Sequence, residues 1–284
     1  GELGIDIDDS RFVKGGRTMA DALLSFYEQG QGFRHASTDT ETDLMSSEQA
    51  FCALVSLLRA ENGSNSLYQM ADAGSAEPER HPDVQIMPVI DAGKTFNDLT
   101  ALSQADRQAI EALAARGIIN GMNEEEFWPS NTMKRSEFAA IVTRGLGLQE
   151  RSGLSFQDIA ASDWYAGYIE ASYYYGITKG TSANIFTPNG TITREQAATM
   201  LCRAAVLCGL DTTLSEAEIS AILAGYQDSS QGSSWARAAV AYCLDQGILT
   251  IDSASQTLQP QTAILRSEIA QALYQLLLSA GLLV

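Results

Sequence analysis

One pattern of punctuation recurs three times in the last two thirds of this 284-residue chain, and it requires a fold made of repeated units. Phe-Asn-Asp at 96–98, Phe-Gln-Asp at 156–158 and Tyr-Gln-Asp at 226–228 each open a unit. A helical stretch follows and ends at Gly-Ile-Ile (117–119), Gly-Ile-Thr (176–178) or Gly-Ile-Leu (247–249), where glycine can supply the left-handed residue that closes a helix. Then come Phe-Trp-Pro (127–129), Phe-Thr-Pro (186–188) and Leu-Gln-Pro (258–260), and six residues after each proline stands an arginine: Arg135, Arg194 and Arg266.

Each arginine opens a second helix whose apolar stripe falls at matching offsets. The positions three, seven and eleven residues on are Phe138, Val142 and Leu146, then Ala197, Leu201 and Ala205, then Ile269, Leu273 and Leu277. A two-helix unit of about 55 residues cannot cover its own apolar face, whereas three units packed around a shared axis can. The expected fold is all-α: a pseudo-threefold assembly of three helix-loop-helix repeats at 93–150, 153–210 and 223–284, preceded by a linker at 72–92 and a helical hairpin region at 1–71. The stretch around the linker holds three of the chain's six prolines and no sustained periodicity.

These residues carry a resemblance. Met-Lys-Arg-Ser-Glu (133–137), Ile-Thr-Arg-Glu-Gln (192–196) and Ile-Leu-Arg-Ser-Glu (264–268) resemble the Ile-Thr-Arg-Ala-Glu motif of the S-layer homology repeat, three copies of which form one domain at the end of many bacterial surface proteins. The threonine stands only in the second copy, where Thr193 and Gln196 can form a capping box. Lys134 and Leu265 have no side-chain oxygen to cap with, which should cost on the order of 1 kcal/mol per helix. Glu137 and Glu268 still suit the positive end of the helix dipole. Residues 1–71 more weakly resemble the last hairpins of the alpha/alpha toroid of terpene-cyclase-like and prenyltransferase-like domains. A toroid needs several such hairpins, so no complete active site is expected there.

An arginine in the first turn of a helix opposes the macrodipole by a few tenths to about 1 kcal/mol, so three such placements call for a compensating interaction. Two readings stand side by side. Asp98, Asp158 and Asp228, or the local Glu137 and Glu268, can pair with the arginines internally; or each arginine points into a groove between units and takes an anionic ligand group, which its planar fork suits. The two can coexist, with the aspartate orienting the arginine. The resemblance implies the second: non-covalent binding of a secondary cell-wall polysaccharide, often one bearing pyruvate ketals, by an exported protein at the bacterial cell surface. Arg135, Arg194, Arg266, Glu137, Gln196, Glu268, Asp98, Asp158 and Asp228 are then the candidate ligand-binding set. Trp164 and Trp235, each five residues before an apolar helical position, are candidates to cover the sugar or, alternatively, to fill the core; the first unit has Ala105 at that offset. Gly121 and Gly180 let the backbone approach a ligand or simply serve turn geometry, and the third unit has Thr250 and Ile251 in that place. Two working grooves are therefore as consistent with the sequence as three.

Composition narrows the alternatives. The net charge of -17 and the absence of a basic face argue against nucleic acid as a partner. No stretch approaches the roughly 18 apolar residues of a membrane span. The opening GELGIDIDDS reads as the start of an excised fragment, so it is uninformative about compartment. Cys52, Cys202, Cys208 and Cys243 lie in apolar helical stretches and read as small core residues, with a disulfide as the minority option. His35 and His81 lack neighbours at metal-ligand spacing, and the acidic runs at 6–9 and 37–43 lack a calcium-loop pattern, so no metal, cofactor or catalytic residue is expected. The main rival is a protein-interaction scaffold that binds no glycan.

Overall fold

A computed structural model of the chain describes residues 13–29, 31–61, 79–251 and 256–283. The acidic run at 6–9, the end of the second N-terminal helical stretch and the first part of the expected linker lie outside these residues. The chain divides into two compact units, 1–76 and 77–284, and is mostly helical.

In the first unit, α1 (Met19–Leu24) opens with a capping box between Thr18 and Asp21. It leads into a ribbon of β1 (Tyr27–Glu28) and β2 (Gly32–Phe33), paired antiparallel, and then α2 (Leu44–Glu61). The helices are thus joined through a β-ribbon, where a plain helical hairpin was expected. The ribbon is pinned to α2 by the Ser47 hydroxyl, which accepts from the Phe33 N–H at 2.9 Å. Cys52 is exposed on α2 and departs from its reading as a core residue.

The second unit contains three helix pairs: α3 (Gln104–Ala114) with α4 (Arg135–Gly145), α5 (Ala166–Tyr174) with α6 (Arg194–Leu207), and α8 (Arg237–Asp245) with α9 (Arg266–Ser279). Gly117, Gly176 and Gly247 end the first helices at φ of 66°, 73° and 64°, the left-handed closure expected. Between the second and third pairs lies α7 (Glu216–Leu223), which the repeat pattern did not anticipate; Ser215 caps it, and Ile219 and Leu223 are buried.

The first helix of each pair packs on the second helix of another: α5 on α4, α8 on α6, and α3 on α9. The second helices α4, α6 and α9 also touch one another. All nine stripe positions read from the sequence are at most 1% exposed. Burying each larger side chain contributes about 1.5–3 kcal/mol, so this shared interior is the main source of stability. Cys208 and Cys243 are buried in it and Cys202 is half-buried; all are free thiols.

Backbone bonds close the same succession. At the start of α4, the N–H groups of Arg135 and Ser136 donate to the carbonyls of Gly190 and Pro188 at 2.9 and 3.1 Å. In α6, Arg194 and Glu195 donate to Thr262 and Pro260; in α9, Arg266 and Ser267 donate to Asn131 and Pro129. Each proline loop therefore satisfies two of the four orphan N–H groups of a neighbouring helix. This explains why Lys134 and Leu265 stand at N-caps without a side-chain cap. The expected capping box does form at Thr193 and Gln196.

Residues 79–92 of the stretch read as a linker lie along this unit. The N–H of His81 donates to Leu207 O, that of Gln85 to Leu146 O and that of Ile90 to Ala115 O, while Arg80 reaches Ala280 O. The segment takes up carbonyls that helices α6, α4, α3 and α9 leave unpaired at their C-terminal ends.

Candidate functional site

The aspartates that open the helix pairs each use both carboxylate oxygens on the following proline loop. Asp98 accepts from the N–H groups of Phe127 and Trp128 at 2.9 and 2.7 Å. Asp158 accepts from Phe186 and Thr187 at 2.9 and 2.7 Å, and Asp228 from Leu258 and Gln259 at 2.6 and 2.8 Å. The second residue of each loop, Trp128, Thr187 or Gln259, has a positive φ of 59°, 60° or 47°. Such a conformation costs a non-glycine residue roughly 1–3 kcal/mol, and two charge-assisted bonds at about 1.5–3 kcal/mol each outweigh it.

The clamped loop presents a carbonyl to an arginine from a different helix pair. Nε of Arg135 donates to Phe186 O at 2.9 Å, and Nε of Arg266 to Phe127 O at 2.9 Å. Each guanidinium also lies over the ring of that phenylalanine, at 4.8 and 4.5 Å. Nη1 of Arg135 donates to Gln196 Oε1 at 3.1 Å, and Nη2 of Arg266 to Asn120 O at 2.8 Å. The second terminal nitrogen of each has no partner among the described residues and is not sealed from solvent. Burial, with both residues 5% exposed, pushes the two guanidinium pKa values down, while Asp158 opposes the shift at Arg135 and Glu137 and Asp98 oppose it at Arg266. Arginine's ordinary value is high enough that both remain cations.

Arg194 is placed differently. It donates to Leu258 O at 3.0 Å and pairs directly with Glu268. No aspartate forms an ion pair with a motif arginine among the described residues, so the aspartates act on the arginines through the loop backbone.

Two grooves open beside these arginines. The first, of about 430 Å³, is lined by Arg266, Asn120 to Met122, Glu137, Arg144, Trp164 and Tyr168. The second, of about 330 Å³, is lined by Arg135, Thr178 to Thr181, Gln196, Arg203 and Trp235. Each combines an arginine from one helix pair, the loop and second helix of the next, and a tryptophan from the one after. Trp164 and Trp235 are both 57% exposed, which removes the core-filling alternative.

Residues 95–139 and 155–198 match the S-layer homology domain. The matched stretches hold the first two helix pairs up to the early turns of α4 and α6, including Asp98, Arg135, Asp158 and Arg194. The chain is also 34% identical over 190 residues to exoglucanase XynX of Acetivibrio thermocellus, a span of 66% of this chain and 17% of that one. It is 35% identical over 190 residues to an amylopullulanase of Thermoanaerobacterium thermosulfurigenes, 66% of this chain and 10% of the relative. Against the surface-layer 125 kDa protein of Lysinibacillus sphaericus it is 32% identical over 187 residues, 65% of this chain and 15% of the relative. The chain thus spans under a fifth of each relative's length. The enzyme matches fall in the S-layer homology region. Together these findings indicate a cell-surface, cell-wall protein.

Two groove cations escaped the sequence reading. Arg144 and Arg203 each stand nine residues after a motif arginine, about two and a half helical turns further on; the third helix has Gln275 there. Arg144 lies over Tyr168 at 5.2 Å, and Arg203 donates weakly to Ile177 O at 3.4 Å. Desolvation pushes both pKa values down. The candidate glycines have a packing role: a Cβ on Gly121 or Gly180 would meet a ring carbon of Phe96 or Phe156 at 2.5 Å. Trp128 lies in the first proline loop, outside both grooves, and donates from Nε1 to Glu126 at 2.9 Å.

Proposed function

We propose that residues 93–284 form three S-layer homology repeats in a pseudo-threefold assembly, and that this assembly anchors an exported protein by binding an anionic secondary cell-wall polysaccharide without covalent attachment. The single observation that carries the reading is the recurrence of one groove, with an exposed tryptophan beside an arginine that keeps a free terminal nitrogen, at two equivalent places. The tryptophan face covers a sugar ring and the guanidinium takes a carboxylate, such as that of a pyruvate ketal. The third position has Ala105, Gln275 and an arginine already neutralised by Glu268, so two grooves do the binding. Either alone binds weakly; engaged together on one polymer they gain from effective concentration.

The relatives support a binding rather than a catalytic role. An exoglucanase, an amylopullulanase and a surface-layer protein share this region while their names describe different activities, so the shared function is attachment. Residues 1–71 belong to the same proposal as a remnant of a preceding toroid domain, for which α1 and α2 are the supporting elements. The direct ion pair of Arg194 favours, for the third position alone, internal pairing of the arginine over ligand contact.

The test is retention of the protein on purified wall polysaccharide before and after mild acid removes the ketal groups. Loss of retention after treatment is expected. Equal retention on treated and untreated polymer would remove the carboxylate from the account, and no retention on either would remove the glycan.

A further inference from the structure

We propose that the third residue of each second helix, Glu137, Gln196 or Glu268, sets how strongly each groove accepts a negative charge, making the Arg135 groove the preferred anion site and the Arg266 groove a weaker one that also suits a part of the ligand donating hydrogen bonds. This deepens the groove reading above and rests on it.

The two grooves share a plan but differ in charge. Around Arg135 stand Arg203 and Lys179, with no carboxylate in the lining. Around Arg266 stands Arg144, and Glu137 joins the lining. The hydrogen bonding follows the same division. Gln196 turns its Oε1 to Arg135 Nη1 at 3.1 Å and to the Thr193 N–H at 3.4 Å, so its amide NH2 remains to donate. Glu137 spends Oε2 on the Lys134 N–H at 2.9 Å, and its other oxygen, without a partner among the described residues, remains to accept. One groove therefore offers donors on every side, and the other offers donors facing an acceptor. The third pair shows the extreme case: Glu268 at this place takes the arginine for itself.

Reciprocal substitution is structurally mild, because Glu and Gln already serve the same capping place in different pairs. The probes are a methyl hexoside bearing a cyclic pyruvate ketal and the same hexoside without it. The readout is the indole N–H resonance of Trp164 for one groove and Trp235 for the other, with Trp128 as a reference outside both. In the unaltered protein the ketal sugar is expected to move Trp235 at a lower concentration than Trp164. Gln196→Glu should raise the concentration needed at Trp235 by roughly tenfold, and Glu137→Gln should lower it at Trp164 by a comparable factor. Equal titrations in the unaltered protein, or titrations that the two substitutions leave in place, overturn the inference while groove binding stands. No movement of either indole with either sugar overturns the groove reading itself, and the inference with it.

Discussion

Asp158 and Arg135 hold the same residue from two sides: the carboxylate accepts the N–H of Phe186 at 2.9 Å, and the guanidinium Nε donates to its carbonyl at 2.9 Å. Asp98 and Arg266 hold Phe127 in the same way. The acid that opens one helix pair thus sets the position of the arginine that opens the second helix of another, without touching it. A first-turn cation is tolerated because its fixed partners are loop carbonyls rather than the helix end it opposes.

Asp158→Ala removes two charge-assisted bonds and leaves the Thr187 N–H without its acceptor at a φ of 60°. Chemical unfolding should show a loss of about 3 kcal/mol or more. Binding through the Arg135 groove should weaken as well, although Asp158 lines no part of it. A stability loss with unaltered binding would separate the two residues.

Glycines at two neighbouring positions should respond differently to substitution. Gly180→Ala would place a Cβ 2.5 Å from the Phe156 ring and 2.6 Å from Ile185 O, at a φ of +80°. Gly176→Ala, at +73°, meets nothing within 4 Å. The second change should cost about 1–2 kcal/mol, from backbone conformation alone, and the first clearly more. Paired thermal melts give the comparison.

Much of this architecture was legible because it depends on period. The spacing of Phe138, Val142 and Leu146 and of their counterparts dictates a buried helical face, and every one of those positions is buried. The partners of Asp98, Asp158 and Asp228 were not legible. A repeat fixes where a carboxylate stands, but not whether it meets a guanidinium or two backbone N–H groups brought together by a turn with positive φ. Arg144 and Arg203 were missed because they read as ordinary polar positions on an amphipathic helix; their offset of nine residues from a motif arginine was the available signal. Cys52 was misplaced because an apolar helical stretch says which face is apolar without saying that anything covers it.

Trp164→Ala and Trp235→Ala should each weaken saccharide binding by about tenfold while stability changes by less than about 0.5 kcal/mol, since both rings stand largely in solvent. Fluorescence titration with wall oligosaccharide, set beside unfolding curves, checks both halves. A large stability loss would return these residues to a structural role.

Arg203→Gln should weaken binding of an anionic saccharide by about fivefold and reduce its salt dependence, because one of the cations in that groove is removed. Its bond to Ile177 O is long at 3.4 Å, so circular dichroism should be unaltered. Titrations at two ionic strengths provide the measurement.

The central claim is that Arg135 and Arg266 each keep a terminal nitrogen and an unpaired charge for the wall polymer, whereas Arg194 spends both terminal nitrogens, one of them on Glu268. The most direct measurement is retention on purified wall polysaccharide of the Arg135→Gln, Arg266→Gln double variant beside Arg194→Gln, with helicity checked in both. Retention should fall by at least about tenfold in the folded double variant and stay within about twofold of the unaltered protein in the single one. A folded double variant that binds as the unaltered protein does, or an Arg194→Gln protein that loses as much, would contradict the account.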